Sequence, residues 1–134
     1  MQIQRPFLQA MLSVSLASFC TFGHAKTASP KNDANTLTGV ASYYSDKFHG
    51  RRTANGERYD KNGFTAMHRW LPFGTRIRVI NLSNYRAIEV RVNDRGHRRN
   101  RRLLDLSRRA AAELGMLRSG IAQVRVEVLQ GADS

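Results

Sequence analysis

Cysteine and acidic residues are what this 134-residue chain most lacks: one Cys, and 10 Asp and Glu against 22 Lys and Arg. Cys20 has no partner, so a disulfide within the chain is impossible and the fold must be held by packing alone. Beyond Phe22 no apolar run approaches the ~20 residues that a membrane-crossing helix needs. There is no Gly-x-Ser-x-Gly elbow, no glycine-rich phosphate loop after a strand, and no His-x-x-x-His pair. These absences argue against an elbow-type serine hydrolase, a nucleotide-phosphate binder and a metal site set by sequence spacing. No metal and no cofactor are expected.

The front of the chain reads as an export leader. Arg5 is the only charge before Lys26, an apolar run follows from about Phe7 to Phe22, and Gly23-His24-Ala25 places small residues where a signal peptidase reads. Cleavage after Ala25 is expected, with residues 1–25 as signal peptide. The alternative is a lipoprotein signal in which Cys20 becomes an acylated first residue, although Phe19 stands where a small residue is wanted. Either route places the domain outside the cytoplasm, in a bacterial periplasm or cell envelope. Lys26 to Thr36 is polar and Ala/Ser/Asn-rich, and is expected to be a disordered spacer. The folded domain is expected over 37–130.

The formal charge is +12. Loss of Arg5 with the leader leaves 21 basic against 10 acidic residues, a net of +11. Seven arginines crowd between Arg95 and Arg109. In a cytosolic protein that density would suggest nucleic acid. Behind an export leader the acidic partners are cell-wall polymers, anionic lipid head groups or lipopolysaccharide, so nucleic acid is not expected. A solvated basic face without a dedicated partner is the simpler alternative.

Period-2 alternation dominates the rest of the chain. Strands are expected at Leu37–Tyr44, Phe64–His68, Thr75–Leu82, Ala87–Asp94, Leu103–Leu106 and Ile121–Leu129. A hairpin turn falls at Ser83–Arg86. Ser107 is placed to cap a short helix over Arg108–Leu114 that Gly115 stops. Asp46–Gly63 is a long polar loop with three glycines, and loops of that length in compact domains are commonly functional. Many short strands with one or two short helices predict a mainly β fold, a small six-stranded barrel. In the Ala87–Asp94 strand, Asp94 shares parity with Ile88, Val90 and Val92. Its carboxylate is therefore expected to continue the inward row, with Gly96 allowing a sharp turn beyond it. The simplest role for it is to pair with Arg95 or cap that turn.

Several motifs recur in order: Gly39-Val-Ala-Ser-Tyr-Tyr44, Phe48-His-Gly-Arg-Arg-Thr-Ala-Asn-Gly-Glu-Arg-Tyr-Asp60, Thr65-Ala-Met-His68, Leu71-Pro-Phe-Gly-Thr75, Val90-Arg-Val-Asn-Asp-Arg-Gly96 and Leu104-Asp-Leu-Ser107. As a set, over about Gly39–Leu129, they resemble the rare lipoprotein A family of bacterial cell-wall proteins. The resemblance implies a double-psi β-barrel, the architecture of barwin and expansin domains. It implies endolytic lytic transglycosylase activity on peptidoglycan glycan strands, a carbon–oxygen lyase reaction at the MurNAc–GlcNAc bond that leaves 1,6-anhydro-MurNAc ends. By motif it implies Asp94, Glu57, Asp60 and His68 as the catalytic set. Tyr44, Asn55, Tyr59, Asn93 and Arg95 are the expected substrate-contacting residues. The chain departs from the family in having His97 and arginines where Pro usually follows Asp-Arg-Gly. It is expected to be a short member without the C-terminal glycan-binding domain, acting as a monomer.

The chemistry suits one central carboxyl group. The departing glycosidic oxygen must gain a proton and the sugar's C6 hydroxyl must lose one, and a single acid can do both in turn. Asp94 is the leading candidate, with Glu57 and Asp60 orienting the sugar and His68 hydrogen-bonding a carboxylate. The rival reading is a non-catalytic, expansin-like module that grips glycan in the same cleft. A third is an envelope protein acting through its basic face on anionic polymer.

Overall fold

The computed structural model describes residues 35–131. The expected leader lies outside these residues, as does most of the expected spacer, whose last residue, Thr36, opens the first strand. Six strands form: β1 (Thr36–Tyr43), β2 (Thr65–His68), β3 (Arg76–Asn81), β4 (Ala87–Arg95), β5 (Leu104–Leu106) and β6 (Ala122–Gln130). Each lies within a residue or so of the segment that alternation marks out. They close into a barrel in the order β1-β5-β2-β4-β3-β6. The pairs β1/β5 and β2/β4 run parallel and the others antiparallel.

The interior is filled by the inward row of each strand. Ile77, Val79, Val92, Leu104, Leu106, Val124 and Val126 are fully excluded from water. Burying a side chain of this size contributes about 1.5–3 kcal/mol, which is what a chain with a single cysteine has to rely on. One helix, α1 (Arg108–Glu113), closes an end of the core with Ala110 and Ala111 inward. Ser107 caps it as expected, its Oγ accepting from the Ala110 N–H. Gly115 follows the last turn at φ 70°, a left-handed conformation that disfavours residues with a Cβ. The helix is also tied to the long loop, because the Ser107 hydroxyl donates to the Gly63 carbonyl at 2.6 Å.

The β2/β4 ladder carries an irregularity that decides where the site faces. Ala66 pairs with Val92, but Met67 pairs with Asp94, leaving Asn93 as an inserted residue. An extra residue of this kind reverses the alternation beyond it. Asp94 therefore does not continue the inward row of Val90 and Val92, as expected from parity. It turns to the outer face that Met67 shares.

Gly96 likewise has a different role from the one expected. Its φ is not positive. What excludes a side chain is the thioether of Met67, since a Cβ at residue 96 would lie 2.5 Å from Met67 Sδ.

Candidate active site

Strand pairing carries one row of side chains across four neighbouring strands. Ser42 on β1 pairs with Asp105 on β5, Asp105 with Met67 on β2, and Met67 with Asp94 on β4. Directly paired residues project from the same face of a sheet. The row thus lies on the outer face of the barrel, with a carboxylate on each side of Met67. The segment 44–63 and the loop 96–103 flank it.

Asp94 is half-buried and accepts three hydrogen bonds. Tyr44 donates its hydroxyl to Oδ2 at 2.5 Å, while the backbone N–H groups of Ala54 and Arg95 reach Oδ1 at 2.8 and 2.9 Å. The Arg95 guanidinium turns away, donating to the carbonyls of His68 and Leu71 at 3.1 and 2.7 Å and lying 4.6 Å over the Phe73 ring. The simple ion pair between Asp94 and its neighbour is therefore not formed. Burial first, and then the hydrogen bond to Asp94, hold the Tyr44 phenol far above the usual tyrosine range. Tyr44 is a permanent donor to Asp94. Its ring packs 4.7 Å from that of Tyr59.

Glu57 belongs to the same cluster in a different way. Its two oxygens accept from both Nη groups of Arg91 at 2.7 and 2.8 Å, a bidentate pair, and Oε2 also accepts from Asn93 Nδ2 at 3.3 Å. These donors, led by Arg91, pull the Glu57 carboxyl down to about 2. It carries no proton near neutral pH. Asn55 completes the clasp: its Oδ1 accepts from the Thr53 hydroxyl and the Glu57 N–H, and its own N–H donates to the Asn93 carbonyl. The long loop is therefore pinned to the end of β4 at Ala54, Asn55 and Glu57.

The remaining expected residues sit elsewhere. Asp60 is exposed and accepts the Asn62 N–H at 2.9 Å in a side-chain-closed turn. It has no hydrogen bond or ion pair to the other acids among the described residues. Tyr59 is 3% exposed, so its ring supports Tyr44 from beneath rather than offering a face to a sugar. Tyr43 turns toward the core and donates to the Leu117 carbonyl. His68 does not hydrogen-bond a carboxylate. It is fully buried, and Nδ1 accepts from the backbone N–H groups of Trp70 and Leu71 at 3.2 and 3.1 Å. Nε2 therefore carries the ring proton, and it has no hydrogen-bond partner. Burial, with the Arg95 and Arg69 charges, lowers His68 to about 4.

Two residues that the sequence reading passes over stand on the same row as Asp94, beyond Met67. Asp105 is 9% exposed and Ser42 6%. The Ser42 hydroxyl donates to Asp105 Oδ1, Arg102 Nε lies 3.1 Å from the same oxygen, and Asn100 Nδ2 donates to Oδ2 at 3.2 Å. The available signal was an aspartate set between two core leucines of a three-residue strand.

A family model described as lytic transglycolase matches residues 36–126. The chain belongs to that family. The lytic transglycolase domain is a double-psi β-barrel, as expected from the motifs, and the match covers every strand except the last residues of β6. A Synechocystis protein named as a probable endolytic peptidoglycan transglycosylase RlpA is 51% identical over 92 residues, covering 69% of this chain and 29% of that one. A Neisseria meningitidis serogroup B protein named as an endolytic peptidoglycan transglycosylase RlpA is 47% identical over 104 residues, 76% of this chain and 44% of that one. The chain spans less than half the length of the curated relatives it matches. Among solved structures, a Streptomyces papain inhibitor superposes with a TM-score of 0.59 at 24% identity, over 72% of this chain and 96% of that one. A Clavibacter michiganensis expansin superposes at 0.57 and 21% identity, over 74% and 52%. These two likenesses show the fold.

Proposed function

We propose that this chain is an endolytic lytic transglycosylase that cleaves peptidoglycan glycan strands at the MurNAc–GlcNAc bond and leaves 1,6-anhydro-MurNAc ends, in remodelling of the cell wall. The observation that carries the reading is Asp94: a half-buried carboxylate with only neutral donors, held by Tyr44 on the outer face of the barrel. A group so placed can meet the departing oxygen and no arginine competes for it. Membership of the lytic transglycolase family and the names carried by its relatives support the same substrate.

In this reading Asp94 is the central acid/base and Tyr44 orients it. Glu57, fixed as an anion by Arg91, holds the loop that carries Ala54 and Asn55 beside Asp94. Asn93 secures Glu57, and Arg95 ties β4 to the turn after His68. His68 builds that turn as a neutral ring. Asp60 and Tyr59 shape the loop and support Tyr44. The domain works as a monomer in the periplasm or cell envelope. Arg98, Arg99 and Arg101, exposed and without ion pairs among the described residues, would hold anionic envelope polymer near Asp94.

The test is digestion of purified glycan strands by the chain and by its Asp94→Asn variant, with products weighed by mass spectrometry. Anhydro ends, one water lighter than hydrolysis products, are expected from the wild type and lost in the variant. Tight glycan binding by a folded wild type that cuts nothing would leave an expansin-like binding module instead.

A further inference from the structure

The loop between β4 and β5 reads Gly96-His-Arg-Arg-Asn-Arg-Arg-Leu103, with four arginines and neither a lysine nor an acid among them. Hydrogen bonds fix its path. The Asn100 N–H donates to the His97 carbonyl at 2.9 Å, closing a turn that puts Arg98 and Arg99 at its two central positions. His97 Nδ1 accepts the Arg99 N–H at 3.2 Å within that turn. Asn100 then fastens the tip to the barrel: its Oδ1 accepts the Arg102 N–H at 3.0 Å, and its Nδ2 donates to Asp105 Oδ2 at 3.2 Å. Arg98, Arg99 and Arg101 are exposed, and none has an ion pair among the described residues.

Three guanidinium groups on one short, fastened turn repel one another, and nothing in the loop neutralises them. Residue type narrows what would. A merely hydrated face is served as well by lysine, whereas the planar, weakly hydrated guanidinium pairs with carboxylates and phosphates through two parallel N–H donors. Between Gly96 and Leu103 no apolar side chain is available to enter a lipid surface. The partner these features fit is an acidic chain in water.

Position narrows it further. The loop leaves the barrel at Arg95, next to Asp94, and rejoins it at Leu104, next to Asp105. Whatever the tip holds is therefore held beside the row on which the glycan would lie. The last arginine of the loop, Arg102, also lines a depression of about 520 Å³ together with Arg108, Ser45 and the exposed Ile121. The one acid in that lining, Asp46, is paired with Arg108 at 3.6 Å, so the depression keeps a net positive charge. A muramyl residue carries a short peptide on its lactyl oxygen, and that peptide bears free carboxylates.

We propose that the Arg98–Arg101 tip and the depression lined by Arg102 hold the acidic stem peptide of the glycan strand, so that this chain cuts peptide-bearing strands in preference to stripped ones. This rests on the transglycosylase reading, with the sugar lying along the Asp94 row. The tip supplies paired N–H donors to the peptide's carboxylates, and the depression takes the peptide chain against Ile121. The peptide is joined to the muramyl ring at which the bond is cut, so its capture acts on KM.

The test uses the full chain and three substrates: uncrosslinked peptide-bearing strands, the same strands stripped by an amidase, and peptide-bearing strands whose carboxyl groups have been amidated. The readout is kcat/KM from the yield of anhydro ends. An exposed charge pair contributes up to about fivefold, so three should make wild type favour peptide-bearing over stripped strands by roughly 10-fold. The preference should vanish on amidated strands and shrink at about 1 M salt, where the screening length falls to about 3 Å. The triple variant Arg98→Gln, Arg99→Gln, Arg101→Gln should bring the ratio of the two rates down to about 1–2.

A wild type that cuts stripped strands as fast as peptide-bearing ones, or faster, overturns the proposal, and so does a triple variant that keeps the wild-type ratio. A preference that survives amidation overturns it as well, since carboxylates are then not what is read. Binding to anionic phospholipid vesicles that the triple variant loses, with its strand ratio intact, would assign the tip to a lipid surface instead. A wild type that cuts no strand defeats the transglycosylase reading. Co-sedimentation affinities for the peptide-bearing and stripped strands then decide this proposal by the same ratio.

Discussion

The hydroxyl of Tyr44, just past the end of β1, meets the carboxylate of Asp94, near the end of β4, at 2.5 Å although 50 residues separate them. A phenol held protonated by burial and by two nearby carboxylates can only donate to this partner. Tyr44→Phe keeps the ring packing on Tyr59 and deletes that one hydrogen bond. Hydrogen bonds to charged groups are worth about 1.5–3 kcal/mol, so kcat on glycan strands is expected to fall roughly 10- to 100-fold. The melting temperature should move by only a few degrees. Wild-type turnover in Tyr44→Phe, measured by anhydro-product yield, would show that Asp94 needs no orienting donor.

Glu57 is an anion at any pH where the domain works, because Arg91 and its other donors lower it to about 2. It cannot supply either limb of a pH–rate profile near neutrality. Glu57→Gln should therefore leave the shape of the profile unchanged while raising KM several-fold, as the loop carrying Ala54 loosens. Its pair with Arg91 is exposed, so the stability cost should stay below about 1 kcal/mol. Steady-state kinetics from pH 4 to 9 would test this, and a profile that loses a limb would return Glu57 to the proton-transfer chemistry.

Asp94 illustrates why the fold was more legible than the site. Alternation of Ile77 and Val79 against arginines, or of Val124, Val126 and Val128 against polar residues, is a local signal, as are the aromatic and β-branched run before Tyr44, the apolar run at Leu103–Leu106 and the Ser107 cap, and together they placed all six strands and the helix. The orientation of Asp94 depends on an inserted residue at Asn93, which appears only when β4 is paired with β2. Glu57 and Arg91 lie 34 residues apart, and nothing local to either announces their pairing. Asp105 sits between leucines of a three-residue strand, too short for its parity to stand out from a plain apolar run.

His68 gives the domain an acid-sensitive element. Its folded value of about 4 lies below the ordinary 6.5, so between those values the unfolded chain binds the extra proton. The stability it confers is complete above about pH 6.5 and is lost progressively as pH falls to about 4. The loss is on the order of 3 kcal/mol. Replacement by glutamine, which can still accept a backbone N–H, should flatten the fall in denaturant midpoint across that window. Identical slopes for wild type and His68→Gln would assign the acid sensitivity to other groups.

Gly96 is required by Met67, and the Met67 thioether lies between the two carboxylates of the outer row. Gly96→Ala drives a methyl to within 2.5 Å of Sδ, and Met67 is 2% exposed with little room to move. Overpacking of this kind costs about 1–3 kcal/mol, and the displaced thioether should disturb Asp94 and Asp105 together. Pairing Gly96→Ala with Met67→Val should restore much of the stability. A Gly96→Ala domain as stable as wild type in a denaturant titration would show that Met67 yields freely.

The one-residue insertion at Asn93 gives β4 two allegiances. Up to Val92 the strand belongs to the interior; from Asp94 onward it belongs to the outer row, and the switch takes a single step of chain. Deleting Asn93 would leave Asp94 opposite Met67 but remove the side chain that donates to Glu57 and the carbonyl that accepts the Asn55 N–H, unpinning the long loop from β4. The count of residues between Val92 and Gly96 is thus as constrained as their identities. Variation in length should be tolerated in the loops on either side of this stretch and be absent within it.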